Sequence, residues 1–219
     1  MGTPSRSRCR PPVPLDRIIA TATALLDEEG AKGLSMRTLA QRLDSGTATL
    51  YRHFSGRPEL IARVVDAVVG EAHVDDADLQ GHDWREDCET ILRRMFDVLC
   101  RHPRVAHFMV GNVPLRGPNM VALREQALGL FLKSGFTGPQ AVLAWSTLAR
   151  YVLGFAVQLT SPDEDESAAE VWTSIDLGEF PATRAVEDVS PESLDSEFGF
   201  GLKLLIEGLN RRVNGQDAG

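Results

Sequence analysis

Residues 35–57 carry two short helical patterns separated by three residues, and this arrangement limits the possible fold more than any other feature of the chain. Ser35 is a favourable N-cap for the first pattern. The apolar residues after it repeat at helical spacing: Met36, Leu39, Ala40 and Leu43. Asp44-Ser45-Gly46 suits a turn. A second helix is predicted over 47–54, with Leu50 and Phe54 on its buried side.

The other face of this second helix is rich in hydrogen-bond donors and carries one cation: Thr47, Thr49, Tyr51, Arg52 and His53. A helix that lies in the major groove of DNA presents such groups to bases and phosphates. A helix-turn-helix is therefore predicted. Arg52 and the two threonines would contact bases or phosphates, and Tyr51 and His53 would contact phosphates. The alternative for Tyr51 and His53 is packing against the following helix.

The distribution of charge separates a basic N-terminal part from an acidic remainder. Residues 1–57 hold nine Arg and Lys against five Asp and Glu, whereas the rest holds 14 against 26. The net charge of −8 argues against a protein that coats nucleic acid along its whole surface. A small nucleic-acid-binding head on a separate regulatory or oligomerising domain fits this asymmetry.

The N-terminal part is predicted to contain a flexible basic arm over 1–14 and a DNA-binding domain over 15–56. Prolines and arginines dominate the arm, which has no helical pattern. A first helix over 15–29 is expected to end at Gly30 and Gly33. Eight apolar residues would form the core of the three helices: Ile18, Ala22, Leu26, Leu34, Leu39, Leu43, Leu50 and Phe54.

Residues 57–219 are predicted to form a larger helical domain, so the whole chain is all-α. A helix over 57–73 is apolar on both faces and would link the two domains. Further helices are predicted over 84–101, 105–110, 118–134, 138–160 and 193–212. Residues 161–190 hold nine acidic residues and one arginine, which indicates a long mobile loop.

The helix over 138–160 is apolar nearly all round and therefore needs cover on every side. Its principal stripe is predicted to consist of Val142, Trp145, Leu148, Val152, Phe155 and Leu159. One small domain rarely covers such a helix, and a second subunit is a natural cover.

Known enzyme and metal-site motifs are missing from the sequence. It has no nucleophile elbow, phosphate-binding glycine loop, zinc-protease motif or paired-cysteine site. No enzymatic activity, cofactor or bound metal is predicted. The three cysteines suit a reducing compartment, and neither a signal peptide nor a membrane span is predicted, so a cytoplasmic location is expected.

Several motifs resemble the tetracycline-repressor (TetR) family. In the head they are AxxLLDEEGxxGLSMRTLAQRL from Ala22, TLYRHF from Thr49, and Arg57-x-Glu59-Leu60. The C-terminal part resembles that of the tetracycline-repressor subgroup over 102–114, at SGF in 134–136 and at FGFGLKLLIEGL in 198–209.

The resemblance implies a homodimer that binds a palindromic DNA operator and is released by a small effector. The helices over 138–160 and 193–212 would pair with their mates as a four-helix bundle, and the helix over 57–73 would transmit the effector signal. The DNA-binding positions that match the family are Arg37, Thr38, Thr47, Thr49, Tyr51, Arg52, His53 and Arg57. Arg57 corresponds to a cation that grips phosphate.

The effector site is expected to be more apolar than that of the tetracycline repressor. By this resemblance, His73 matches a histidine that contacts the drug in the tetracycline repressor. Met109, however, occupies the position of that repressor's metal-ligating histidine, and Ile91 occupies the position of a drug-contacting asparagine. A thioether is a poor ligand for Mg²⁺. Met95, Phe96, Trp145 and Tyr151 could also line the pocket, although an apolar stripe at helical spacing is usually plain core.

Two other functional classes stay open at this point. One is a helix-turn-helix regulator that a protein partner controls without any small ligand. The other is an all-α enzyme to which the head is an addition.

Overall fold

The computed structural model describes residues 13–75, 77–79, 81, 83–110, 117–158, 179–186 and 193–215. Within these ranges the chain forms ten α-helices and no β-strand, which confirms the predicted all-α fold. In chain order they are α1 (Leu15–Gly33), α2 (Met36–Arg42), α3 (Thr47–Tyr51), α4 (Arg57–Gly70), α5 (Trp84–Arg101), α6 (Pro103–Val110), α7 (Pro118–Lys133), α8 (Gly138–Gln158), α9 (Pro181–Arg184) and α10 (Leu194–Val213).

Helices α1 to α3 form an N-terminal head. The eight apolar residues predicted for its core are all buried: Ile18, Ala22, Leu26, Leu34, Leu39, Leu43, Leu50 and Phe54. Helix α1 is broken at Gly30, whose φ of 71° lies in the left-handed region that favours glycine. The chain then makes one more turn to Gly33, beyond the predicted end at residue 29. Most of the basic arm predicted over 1–14 lies outside the described residues.

The junction of α2 and α3 forms as the residue types predict. Ser35 Oγ accepts a hydrogen bond from Thr38 N, and Thr38 Oγ1 accepts one from Ser35 N, both at 3.1 Å. This reciprocal cap satisfies two donors at the start of α2. Asp44 adopts a φ of 49°, a conformation that Asp tolerates better than most residues.

Helix α3 is shorter than the predicted 47–54, since it ends at Tyr51. The backbone N–H groups of His53 and Phe54 both donate to the carbonyl of Leu50, at 2.9 and 3.0 Å. Shared acceptors of this kind close the last turn of a helix. Arg52 and His53 therefore lie in the closing turn rather than inside the helix.

Helix α4 lies between the head and the rest of the chain. Its apolar residues on both faces are buried: Leu60, Ile61, Val64, Val65, Val68 and Val69. It packs against α1 on one side and against α5, α6 and α7 on the other. The helix ends at Gly70, and residues 71–73 of the predicted 57–73 form a turn. The two apolar faces of α4 are thus both buried.

Helices α5 to α8 and α10 form the larger body. Phe96 of α5 stacks on Phe198 of α10, with ring centroids 3.9 Å apart. Tyr151 of α8 stacks on the same Phe198 at 5.5 Å. Phe131 of α7 and Phe136 pack beside Trp84 at the start of α5. These aromatic contacts join the helices of the body to one another.

The buried stripe of α8 differs from the predicted one. It consists mainly of small residues, together with two larger ones: Ala141, Ala144, Leu148, Val152 and Ala156. Of the predicted stripe, Leu148 and Val152 are buried, Trp145 and Phe155 are half-buried and Val142 is 41% exposed, while Leu159 lies outside the described residues. The correction has a physical reason, because small side chains let α5, α6 and α7 approach α8 closely within one subunit. Val142 and Leu143 lie on the exposed side of the helix.

The long mobile loop predicted over 161–190 contains one short helix in its described part. Pro181–Arg184 forms the short helix α9, with exposed residues around it. The other residues of that range, 161–178 and 187–190, lie outside the described residues. Helix α10 begins one residue later than predicted, because Ser193 caps it by accepting a hydrogen bond from Ser196 N at 3.2 Å.

Candidate DNA-binding surface and effector site

The outer face of α3 and its closing turn carries the predicted DNA-reading side chains. Thr47, Tyr51, Arg52 and His53 are exposed, and Thr49 is half-buried. Tyr51 is 57% exposed, which is unusual for a large aromatic residue in a folded head. Leu50 and Phe54 anchor the opposite side in the core of the head. The arrangement leaves hydroxyl, phenol, guanidinium and imidazole groups on one surface.

Three further predicted residues flank this surface, and two of them already have structural roles. Arg37 is exposed at the start of α2. Thr38 belongs to the α2 cap, and its hydroxyl also donates to the carbonyl of Gly33 at 2.7 Å. Arg57 donates from Nε to the carbonyl of Leu34 at 2.7 Å and from Nη2 to that of Ala31 at 2.5 Å. It therefore clamps the α1–α2 connection to the start of α4.

A carboxylate of the Arg57-x-Glu59-Leu60 motif forms hydrogen bonds to the segment between α3 and α4, a role that the motif alone does not show. Glu59 in the first turn of α4 accepts hydrogen bonds from the backbone N and the Oγ of Ser55, at 2.7 and 2.8 Å. These bonds lower the pKa of Glu59. They hold the chain between α3 and α4 in one path, so the orientation of α3 depends on α4.

One arginine of the head is paired with acidic side chains. Arg42 at the end of α2 lies 2.9 Å from Glu28 and 3.2 Å from Glu29 of α1. Its hydrogen bond to Glu28 and the charge of that carboxylate raise the pKa of Arg42. The pairing reduces its value as a phosphate contact and distinguishes it from Arg52.

The seven residues predicted to bind an effector do not share one cavity. Only Ile91 and Trp145 line the small internal cavity between α5, α7 and α8, which has a volume of about 10 Å³. Its other walls are Cys88, Leu92, Ala127, Leu130 and Phe131. This volume holds no more than one water molecule. The apolar lining fits the expected kind of site, but the cavity does not admit an effector in this conformation.

His73 lines a separate and open groove of about 920 Å³ between the end of α4, the start of α5 and α7. The side chain of His73 is exposed. Charged residues surround the groove, including Asp75, Glu125 and Lys133, while Leu130 forms part of its wall. Leu130 lines both this groove and the internal cavity, so its side chain borders the two spaces.

The other four predicted effector residues are buried or bonded elsewhere, and they line neither the small cavity nor the groove. Phe96 is engaged in the stack on Phe198. Tyr151 donates its hydroxyl to the carbonyl of Phe198 at 2.9 Å. Met95 and Met109 are buried in the apolar core. Plain core packing explains their spacing in the sequence, which was the alternative to a ligand role.

A buried carboxylate on α4 joins α4 to α7, and sequence patterns gave no signal for it. Asp66 is only 5% exposed. Its Oδ1 accepts a hydrogen bond from Met120 N at 3.0 Å, and its Oδ2 accepts one from Asn119 Nδ2 at 3.3 Å. Asp66 thus caps α7 from a neighbouring helix. The approach is so close that a Cβ on Gly117 would lie 1.9 Å from the Asp66 carboxyl carbon.

Two further properties concern the described part of the chain. No three His, Cys, Asp or Glu side chains within it are grouped so as to hold a metal ion. Helix α8 is long and apolar enough to cross a membrane by length and composition, and 28% of its most apolar window is buried. Because α8 packs against α5, α6, α7 and α10, it is also the central helix of the body.

Comparisons with known proteins match both parts of the chain to one family of regulators. Residues 18–64 match "Bacterial regulatory proteins, tetR family", and residues 77–213 match "Tetracyclin repressor-like, C-terminal domain". The HTH-type transcriptional repressor DrrR1 of Streptomyces coeruleorubidus is 32% identical over 94% of this chain and 80% of its own length.

Solved structures show the same similarity. Apo ActR from Streptomyces coelicolor superposes with a TM-score of 0.81 and 29% identity, covering 94% of this chain and 98% of ActR. ActR in complex with actinorhodin superposes with a TM-score of 0.80 and 28% identity, covering 92% and 97%.

Proposed function

The chain belongs to the tetR family of bacterial regulatory proteins, and from this premise we propose that it is a homodimeric repressor released from its operator by a small effector. It is a DNA-binding transcriptional regulator and not an enzyme. We further propose a palindromic operator, a largely apolar effector and a cytoplasmic location. The division into a head over 15–56 and an effector and dimerisation domain over 57–219 is part of the same proposal.

The observation that carries the DNA-binding proposal is the polar outer surface of α3. Arg52 would read a guanine edge or grip a phosphate, and Thr47 and Thr49 would contact bases or phosphates. Tyr51, His53 and Arg37 would add phosphate contacts. Thr38 and Arg57 already form hydrogen bonds within the head, so they would contact phosphate only with atoms that those bonds do not use. Phosphate contacts make operator affinity fall steeply as salt concentration rises.

The dimer is proposed because α8 and α10 leave large apolar side chains uncovered on one side. Leu143 of α8 is 65% exposed, and Phe200 and Leu204 of α10 are 69% and 53% exposed. A groove of about 470 Å³ runs between the two helices, with Leu143 and Leu204 in its walls. The same two helices of a second copy would bury this surface as a four-helix bundle.

Substitution of the exposed leucines tests the dimer. Leu143→Glu and Leu204→Glu place charges in the proposed interface and should convert the dimer into monomers in sedimentation velocity. Leu132→Glu is the matched control, because Leu132 of α7 is also 53% exposed but lies outside the groove. If both interface variants sediment as the wild type does, the α8–α10 face is not the dimer interface.

We propose that the effector enters through the groove at His73 and opens the space between α5, α7 and α8. Movement of Leu130 would join the groove to the cavity lined by Ile91 and Trp145. This route supports an effector with an apolar body and one hydrogen-bonding end near His73. The similarity to ActR, which has been solved in complex with actinorhodin, supports a small-molecule effector.

Helix α7 would transmit the effect of effector binding to the DNA-binding head. Its residues Ala127, Leu130 and Phe131 line the cavity, and its first turn is held by Asp66 of α4. Displacement of α7 by an effector would therefore pull on α4. Since Glu59 and Arg57 tie the start of α4 to the head, the two recognition helices of the dimer would change their spacing.

Operator release tests the effector proposal with defined probes. Actinorhodin, which binds ActR, should raise the melting temperature and release operator DNA, whereas Mg²⁺–tetracycline should do neither. His73→Ala should raise the actinorhodin concentration needed for half-release about tenfold, the equivalent of one hydrogen bond. His107→Ala, at another exposed histidine, serves as the control. Release by Mg²⁺–tetracycline would contradict the assignment of an apolar site.

A regulator controlled by a protein partner is the second candidate, and one observation favours it. The internal cavity of about 10 Å³ is closed, so the core needs no ligand to fill it. Two results would together support this candidate over effector release. No compound in a broad thermal-shift screen would bind the protein and weaken operator binding, and a stoichiometric partner that co-purifies with the protein would weaken it.

A further inference from the structure

The broken end of α1 is held by the short turn between α5 and α6. His102 in this turn places its Nδ1 2.8 Å from Oδ2 of Asp27 on α1. Arg104, in the first turn of α6, donates from Nη1 to the carbonyl of Asp27 at 2.8 Å and to that of Leu26 at 3.4 Å. Both contacts fall within four residues of the break at Gly30. The larger body thus contacts the head directly at α1, in addition to its contacts with α4.

The two contacts stabilise different groups of the same helix end. Arg104 places a cation against the last carbonyls of α1, where the helix dipole is negative and acceptors lack intrahelical donors. His102 meets a carboxylate and is itself only 16% exposed at its side chain. Half-buried pairs are screened less by solvent than surface pairs. The contact of His102 with Asp27 is therefore shielded from solvent, whereas the bond from Arg104 to the Asp27 carbonyl is exposed.

The same turn also reaches the end of α4. Nε2 of His102 lies 3.6 Å from Oε1 of Glu71, and Arg101 lies 3.2 Å from Oε2 of that residue. His102 consequently stands between an acid of the head and an acid that follows α4. Helix α6 continues from this turn into the body, where Val105 and Ala106 are fully buried. Helix α6 thus connects the packed core to the turn that contacts α1.

We infer that the α5–α6 turn is a second attachment of the head and that His102 and Arg104 are positioning residues that set the tilt of the head on the body. The inference rests on the proposed function, because head tilt affects DNA binding only where two heads engage one palindrome. A head held at one tilt is preorganised, and a loosened head loses conformational freedom on binding. Neither residue touches DNA in this scheme.

Comparison of a full palindrome with a single half-site tests the inference. Arg104→Met and His102→Gln should each weaken binding to the full operator about fivefold or more, while half-site affinity changes less than about twofold. Arg124→Met is the control, since it removes the same charge from an exposed position on α7. Fluorescence anisotropy with the two DNA lengths gives both affinities. Equal loss on both DNAs, or no loss on either, would overturn the inference.

Hydrogen exchange of the full-length protein provides a readout that needs no DNA. In both variants the amides of residues 26–34 should exchange about tenfold faster, because the carbonyls and carboxylate that held this segment lose their partners. Amides in α8 should exchange as in the wild type. Unchanged exchange over 26–34 would contradict the attachment even if operator binding had failed for another reason. Failure of the wild type to bind any DNA would count only against the proposed function.

Discussion

Replacement of Asp66 by alanine measures how strongly α7 is fixed to α4. The substitution removes the acceptor of the Met120 N–H bond at 3.0 Å and of the Asn119 bond at 3.3 Å. Loss of a helix cap costs about 1 kcal/mol, and a buried donor left without a partner costs about 1–3 kcal/mol. These two costs overlap, because the bond that caps α7 is the same bond that the Met120 N–H loses.

The opposing contributions are smaller. Removal of the carboxylate relieves the desolvation of a side chain that is only 5% exposed, which offsets part of the loss. Alanine also has the higher helix propensity, worth about 0.5 kcal/mol. We expect a net destabilisation of about 2 kcal/mol, or a melting temperature lower by about 4–8 °C for a chain of this size.

Asp97→Ala is the matched control for this measurement. Asp97 is an exposed residue inside α5, so its replacement brings the same propensity gain without loss of a cap. Both variants should be melted in a calorimeter at one protein concentration, because dimer stability depends on concentration. Asp66→Asn should lie between wild type and Asp66→Ala. A melting temperature for Asp66→Ala equal to that of the control would refute the reasoning.

Three further substitutions or treatments have defined outcomes. Gly201→Ala puts a Cβ 2.2 Å from the Tyr151 hydroxyl and should cost about 1–3 kcal/mol in chemical denaturation, since Tyr151 must leave its bond to α10. Ser35→Ala removes the α2 cap and should cost about 1 kcal/mol by the same assay. Burial raises the pKa of Cys88 to about 12 and that of Cys100 to about 11. Both thiols should therefore be alkylated far more slowly than a free thiol at pH 8, as mass spectrometry of labelled peptides can show.

The head is the part of the structure that local sequence patterns predict best. Ser35, the Asp44 turn and the buried Leu50 depend on neighbours within a few residues, so residue type is enough to place them. The length of α3 was overestimated because Phe54 is buried whether or not the helix continues to it. A buried residue at helical spacing therefore does not by itself show that the helix persists.

The effector region could not be predicted in the same way, because its cavity depends on how separate helices pack. Phe96 and Tyr151 have the residue types of a ligand pocket, yet Phe198 from the last helix occupies the space beside both. The role of Asp66 was missed for a related reason. Its partners lie more than fifty positions away, and an isolated acid in an apolar helix looks like a solvent-facing residue.

Operator binding by head variants tests the central claim most directly. DNA from upstream of the gene supplies the probe, and fluorescence anisotropy gives the affinity. Arg52→Ala and Tyr51→Ala should each weaken binding about tenfold or more, as the loss of a base or phosphate contact in each half-site requires. Arg42→Ala is the control, because Arg42 is paired with Glu28 and should change affinity less than about threefold. If Arg52→Ala and Tyr51→Ala bind the operator as tightly as the wild type, α3 is not the recognition helix.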